Sequence, residues 1–394
     1  MGVPARSRTQ VPAMLAVAAA ILPPWGIAAA SDRFVPDDPG FVVADVSRVQ
    51  PDAELRELVS AWRAAPAEEA PAVALAAAFI RRARGLREPR YFGRAEALLA
   101  PLASRGDAGA QTRRLYAETL QYRHDFGRAA ELLDDLLREN ARDQDARLRR
   151  ASLRLTRGDF DGARADCAQL AGLGGAHGPA GLACLAEALA GSGELARGRT
   201  LLDAMAASGG DEASRAYLLA TRGEILERDG LNSAAVADYR AALALAPLDD
   251  SIRAALSDAL AAAGEFDEAR AVLNVDRPSL ALLVRDAALA RGEERTALLR
   301  RAEQWLRLES ARGDARHDRE AAMLEIARGA PAAALAAARR NFETQRELAD
   351  VRVLARAAVL AGDQGAQALL RRWLEHSRYQ DAVTESVLGL RRRG

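Results

Sequence analysis

The chain has 394 residues, 49% of them hydrophobic but only 5% aromatic, and its 55 basic side chains, all arginine, balance 55 acidic ones. That balance excludes a global field that would recruit nucleic acid or an anionic membrane surface. Alanine and leucine supply most of the apolar area, which favours closely packed helices and gives sheets little to use.

In residues 1–30, Arg6 and Arg8 precede an apolar run from Val11 to Leu22, followed by Pro23, Pro24 and the small-residue stretch Ala28, Ala29, Ala30 ahead of Ser31. This is the layout of a secretory signal peptide, and it predicts cleavage after Ala30 and a periplasmic or secreted mature chain. No cysteine follows the site and the two arginines are not adjacent, which argues against a lipoprotein or twin-arginine signal. A retained anchor is the alternative, since residues 11–30 are barely long enough to span a bilayer, but two prolines interrupt them. No later segment approaches that length, so no membrane span is expected after cleavage. Residues 31–52 are rich in proline and aspartate and lack helical spacing, which predicts an extended or disordered leader. Phe34, Phe41, Val42 and Val43 are the residues by which it would cap the body if it docks.

Helical spacing returns over residues 53–105 in three segments that form an irregular first unit, with Tyr91 and Phe92 leading the last of them and Trp62 filling a core gap. Over 106–276 the pattern becomes regular. Its clearest stretch runs from Tyr217 to Asp249: Gly223 and Leu226 on a first helix, a break at Gly230, then Ala235, Tyr239 and Ala242 on a second helix that stops at Pro247. The small residues let two backbones approach where larger side chains would prop them apart. Phe126, Phe160, Leu195, Asn232 and Phe266 follow the breaks of successive hairpins at spacings of 34, 35, 37 and 34 residues. Ala117, Ala151, Ala186, Gly223 and Ser257 hold the small first-helix position, and the longest insertion, Leu173 to Gly178, reads as a turn-rich linker. Five consecutive hairpins are therefore predicted. Over 277–377 the units degenerate: Arg285 takes the small position before Gly292, Ala322, Gly329, Ala334 and Ala338 restore the pattern, and a last hairpin turns at Gly362 between Ala355 and Trp373. Residues 378–394 read as a C-terminal tail, solvated at Arg391 to Arg393.

This order of small, aromatic and proline positions resembles the tetratricopeptide repeat, a 34-residue helix-turn-helix unit. The resemblance implies an all-α, right-handed superhelical solenoid of stacked antiparallel helix pairs, divergent at its ends. It also implies that first helices line a concave groove. The residues it places there are Glu118, Ser152, Glu187, Glu224 and Asp258 in one file, with Arg114, Gln121, Tyr122, Tyr217, Glu227 and Arg228 nearby. A file of carboxylates would attract a basic or amine-bearing segment of another protein; the alternative is that these acids pair with groove arginines and solubilise the face.

Catalytic chemistry is thin. The histidines His124, His177, His317 and His376 fall in different units without a ligand spacing on one helix face, and the glycines at 172–175 follow no strand and precede no Lys-Ser/Thr. No enzyme activity, cofactor or metal is expected. The sequence favours an interaction scaffold for a protein or peptide, and a binding protein for a small ligand or glycan is the alternative, which would need a closed apolar pocket. Cys167 and Cys184, the two cysteines, fall on the second helix of one unit and the first of the next. They form either a disulfide, which export permits, or two buried small hydrophobes.

Overall fold

The computed structural model describes residues 53–86, 90–174, 177–207, 211–312 and 317–390. The expected signal peptide, the leader and the terminal arginines lie outside these residues. Among them there are twenty helices and no strand. The first unit holds α1 (Ala53–Ala64), α2 (Glu69–Leu86) and α3 (Arg90–Ala103). Five hairpins follow: α4 (Ala110–Tyr122) with α5 (Phe126–Glu139), α6 (Gln144–Arg157) with α7 (Phe160–Leu173), α8 (Gly178–Gly191) with α9 (Leu195–Ala207), α10 (Glu212–Arg228) with α11 (Asn232–Leu245), and α12 (Asp250–Ala262) with α13 (Phe266–Ala271). The C-terminal units are α14 (Leu280–Leu289) with α15 (Gly292–Arg312), α16 (Asp318–Arg328) with α17 (Pro331–Thr344), and α18 (Leu348–Leu360) with α19 (Gln364–Ser377), closed by α20 (Ala382–Val387).

Local chemistry explains these bounds. The side chains of Asp125, Asp143, Asp159, Asp211, Asp249, Asp363 and Asp381 each accept a first-turn N–H, which satisfies a donor the helix leaves unpaired. Between paired helices the chain reverses through a left-handed residue, and Gly158, Gly193, Gly230, Gly264, Gly292, Gly329 and Gly362 hold that place with φ from 58° to 85°. His124 does so in the first regular hairpin, at φ 61°. The five spacing markers, Phe126, Phe160, Leu195, Asn232 and Phe266, are the first residues of α5, α7, α9, α11 and α13. The small positions sit where helices cross: Ala117, Ala151, Ala186 and Ser257 are buried, and a Cβ on Gly223 would lie 2.9 Å from the Tyr239 ring.

Each first helix packs on the next, so that α2, α4, α6, α8, α10, α12, α14, α16, α18 and α20 form one continuous row, while each of the second helices α3 to α19 packs on its own first helix. This is the tetratricopeptide-like solenoid that the repeat predicts. Because α20 also touches α10, the second half of the row curls back on its middle.

Several local expectations change. Residues 378–390, expected to trail as a tail, belong to the body: α20 forms there, and Asp381 and Thr384 are fully buried because Asp381 both caps α20 and pairs with Arg352. Arg285, which breaks the small-residue pattern, is buried with its guanidinium 2.8 Å from Asp258 on α12, so α14 keeps its place in the row. Phe266 is 56% exposed, unlike its counterparts Phe126 and Phe160, because it opens a helix of only six residues and lacks the covering rings that Phe160 has. Cys167 and Cys184 are joined across α7 and α8, with Cα atoms 5.5 Å apart.

Candidate partner-binding wall

Most of the charged residues expected on the groove are already matched within the chain. Glu118 on α4 is buried between Arg84 of α2 and Arg149 of α6, each 2.5 Å away. Arg114, one turn earlier, holds Asp143 at 2.9 Å. Asp258 faces Arg285, as described. Tyr122 stacks on Phe92 with ring centroids 3.9 Å apart, and Gln121 beside it is half-buried. Glu118, Arg114 and Asp258 knit neighbouring first helices together, and Tyr122 ties α4 to α3.

The wall differs at α8 and α10. Glu187 accepts from the hydroxyls of Tyr217 and, at 3.2 Å, Thr221, and among the described residues it has no ion pair. Glu224 is half-buried, with neither a hydrogen bond nor an ion pair among them. Burial pushes the Glu187 carboxyl up to about 7; Glu224 and Glu347 add to the shift, and the two hydroxyls oppose it. Burial raises Glu224 as well, against the pull of Arg228. Tyr217 stays 46% exposed although its hydroxyl is engaged, so an exposed tyrosine and two poorly compensated carboxylates lie together.

One turn further along α10, Glu227 and Arg228 are buried and face the C-terminal units instead. Glu227 accepts from Arg352 and, at 3.1 Å, from the Tyr239 hydroxyl; Arg228 donates to the carbonyls of Ala190 at 2.8 Å and Gln380 at 3.0 Å. The file that the repeat positions imply is thus divided into matched residues, an open pair at Glu187 and Glu224, and an end covered by the chain itself.

Sequence reasoning placed the histidines in separate units, yet His124 and His317 line one polar cavity of about 160 Å³ with Arg319, Glu320, Gln345 and Glu347. Burial lowers the His124 pKa, and His317 and Arg319 lower it further. No repeat position signals this meeting, because the curvature of the row brings the two ends together. A cavity of about 440 Å³ between α15 and α16 is open and lined by Glu303, Arg307, Glu325 and Arg328 among others.

No family model matches the chain, and no curated protein matches it in sequence. Its fold is similar to that of solved tetratricopeptide repeat proteins. A thermophilic one from Thermus thermophilus aligns with 22% identity over 52% of this chain and 98% of that chain, at a TM-score of 0.38. Another from Parabacteroides merdae aligns with 14% identity over 71% of this chain and 97% of its own, at 0.35. Human IFIT1, solved as a dimer with m7Gppp-AAAA, aligns with 13% identity over 85% and 84%, at 0.44. These likenesses concern the fold alone.

Proposed function

We propose that this protein is an exported, non-catalytic scaffold that captures a segment of another protein through a basic side chain seated at Glu187, Tyr217 and Glu224. The observation that carries this reading is the unequal pairing of the wall. Glu118, Asp258 and Glu227 each have an arginine, whereas Glu187 has only hydroxyls and Glu224 has no partner among the described residues. A guanidinium or ammonium arriving there would supply the missing counter-charge, and the exposed face of Tyr217 would stack on it. Two features support export: the signal-like layout of residues 1–30, and the Cys167–Cys184 bridge, a bond that persists in oxidising compartments.

The test is titration calorimetry of the folded protein with an arginine-rich decapeptide at low salt. Glu187→Gln with Glu224→Gln should weaken binding at least about tenfold, or about 1.4 kcal/mol, and unchanged affinity would reject the site. N-terminal sequencing of the protein from its native host should begin at Ser31; an intact start at Met1 would reject cleavage.

A further inference from the structure

The rim of the inner wall is occupied by the chain's own C-terminal region. At the end of α4, His124 meets Gln345 at 3.2 Å. At the end of α6, the carbonyl of Thr156 accepts the Arg346 N–H at 2.7 Å, the carbonyl of Arg157 accepts the Arg346 guanidinium at 2.9 Å, and the Thr156 hydroxyl donates to Glu347 at 3.2 Å. Past α8, Gly193 lies so close to the Arg378 carbonyl that a Cβ would overlap it. At the end of α10, Arg228 donates to Gln380 and lies 3.9 Å from the Tyr379 ring, while Arg352 bridges Glu227 to Asp381 at 2.7 Å. Four consecutive hairpins thus offer the same feature, the C-terminal end of the first helix, to one region between Gln345 and Asp381.

We propose that residues 345–381 form a clasp that closes the superhelix across its own inner wall and that opens as a unit. Apart from the rings around Phe160, Leu155 beside them and the stacking of Arg228 on Tyr379, the joint consists of hydrogen bonds and ion pairs, the composition of interfaces between parts that move. The C-terminal units have an apolar core built mainly from their own residues: Val351, Leu354, Leu370 and Leu374 pack with α16 and α17, and from α4 to α10 this cluster takes in Phe160 of α7 and Leu155 of α6. Opening therefore leaves each side folded. It also withdraws Arg352 from Glu227 and enlarges the unmatched acidic stretch next to Glu224. A basic segment seated at Glu187 and Glu224 that reached Glu227 would then compete with Arg352, which sets capture against the clasp; this last coupling rests on the proposed capture, and the clasp itself does not.

The native cysteines are bridged, so Ala196→Cys on α9 and Arg372→Cys on α19, both at exposed positions, give two free thiols for spin labels. Pulsed electron resonance should show a closed distance whose longer counterpart grows in urea before the helical circular dichroism falls. Distance and helicity changing together would overturn the clasp. Adding Glu227→Gln with Arg352→Gln should move at least about half of the molecules to the longer distance while helicity is kept, and an unchanged distribution overturns it. If that variant does not fold, the urea series on the parent decides. The arginine-rich decapeptide should also shift the population to the longer distance. Binding without a shift removes the coupling, whereas absence of binding refutes the capture reading and leaves the clasp to the first two results.

Discussion

Asp166 on α7 shows how much of this molecule is fixed by single charges. It is 2% exposed and receives Arg147 at 3.1 Å, Arg150 at 2.6 Å and Arg154 at 2.7 Å, all from α6. Removing it with Asp166→Ala strands the buried Arg147 guanidinium and weakens the pairing of Arg154 beside it, and a loss of about 3–5 kcal/mol in urea unfolding is expected. Glu187 makes a contrasting prediction. Its folded-state pKa lies near 7, above the ordinary 4.5, so the folded chain holds a proton that the unfolded chain has released between those values. Stability from this group is present below about pH 4.5 and is lost as pH rises towards 7. Glu187→Gln should flatten that part of the stability profile, and an unchanged slope would show that another group titrates there. Which acids lack a cation was not legible in the sequence. Glu118 and Glu187 share a repeat position, and only the arginines brought beside them, on other helices, set them apart.

At the scale of elements, the chain's own repeat was a reliable guide. The phase of each hairpin is set by contacts within one unit, between a small first-helix residue, a left-handed turn and the opening of the second helix, and all three lie within about 34 residues. Hence the markers from Phe126 to Phe266 fall on helix starts. Helix α20 escaped because its six residues belong to no repeat and are held by distant partners. Gly223→Val should cost about 1–3 kcal/mol by driving a branched side chain into Tyr239, measured by thermal unfolding. The α7–α8 bridge encloses a sequence separation of 17, for which chain entropy gives about 3 kcal/mol. Cys167→Ser with Cys184→Ser should lose about that amount, most of it as faster exchange of α7 and α8 amides.

For the whole molecule, stacking each first helix on the next accounts for the solenoid, and this was readable from periodicity. Closure was not. The residues that meet at the clasp are 125 to 221 positions apart, and whether they meet depends on small rotations accumulated over the intervening hairpins. No local spacing encodes such a sum. The same holds for His124 and His317, which share a cavity only because the row returns to its own middle.

That separation also sets an order of events. While the chain is being made, α4 to α11 acquire the neighbours that precede and follow them in the row before Gln345 is added, so Glu227 stands as a surface long before Arg352 exists to cover it. On the proposed capture, a basic partner present at that moment would meet Glu227 unguarded, while one that arrives later would reach it only by displacing a segment tethered to it at high effective concentration. Timing of encounter, and not affinity alone, would then decide which of the two holds Glu227.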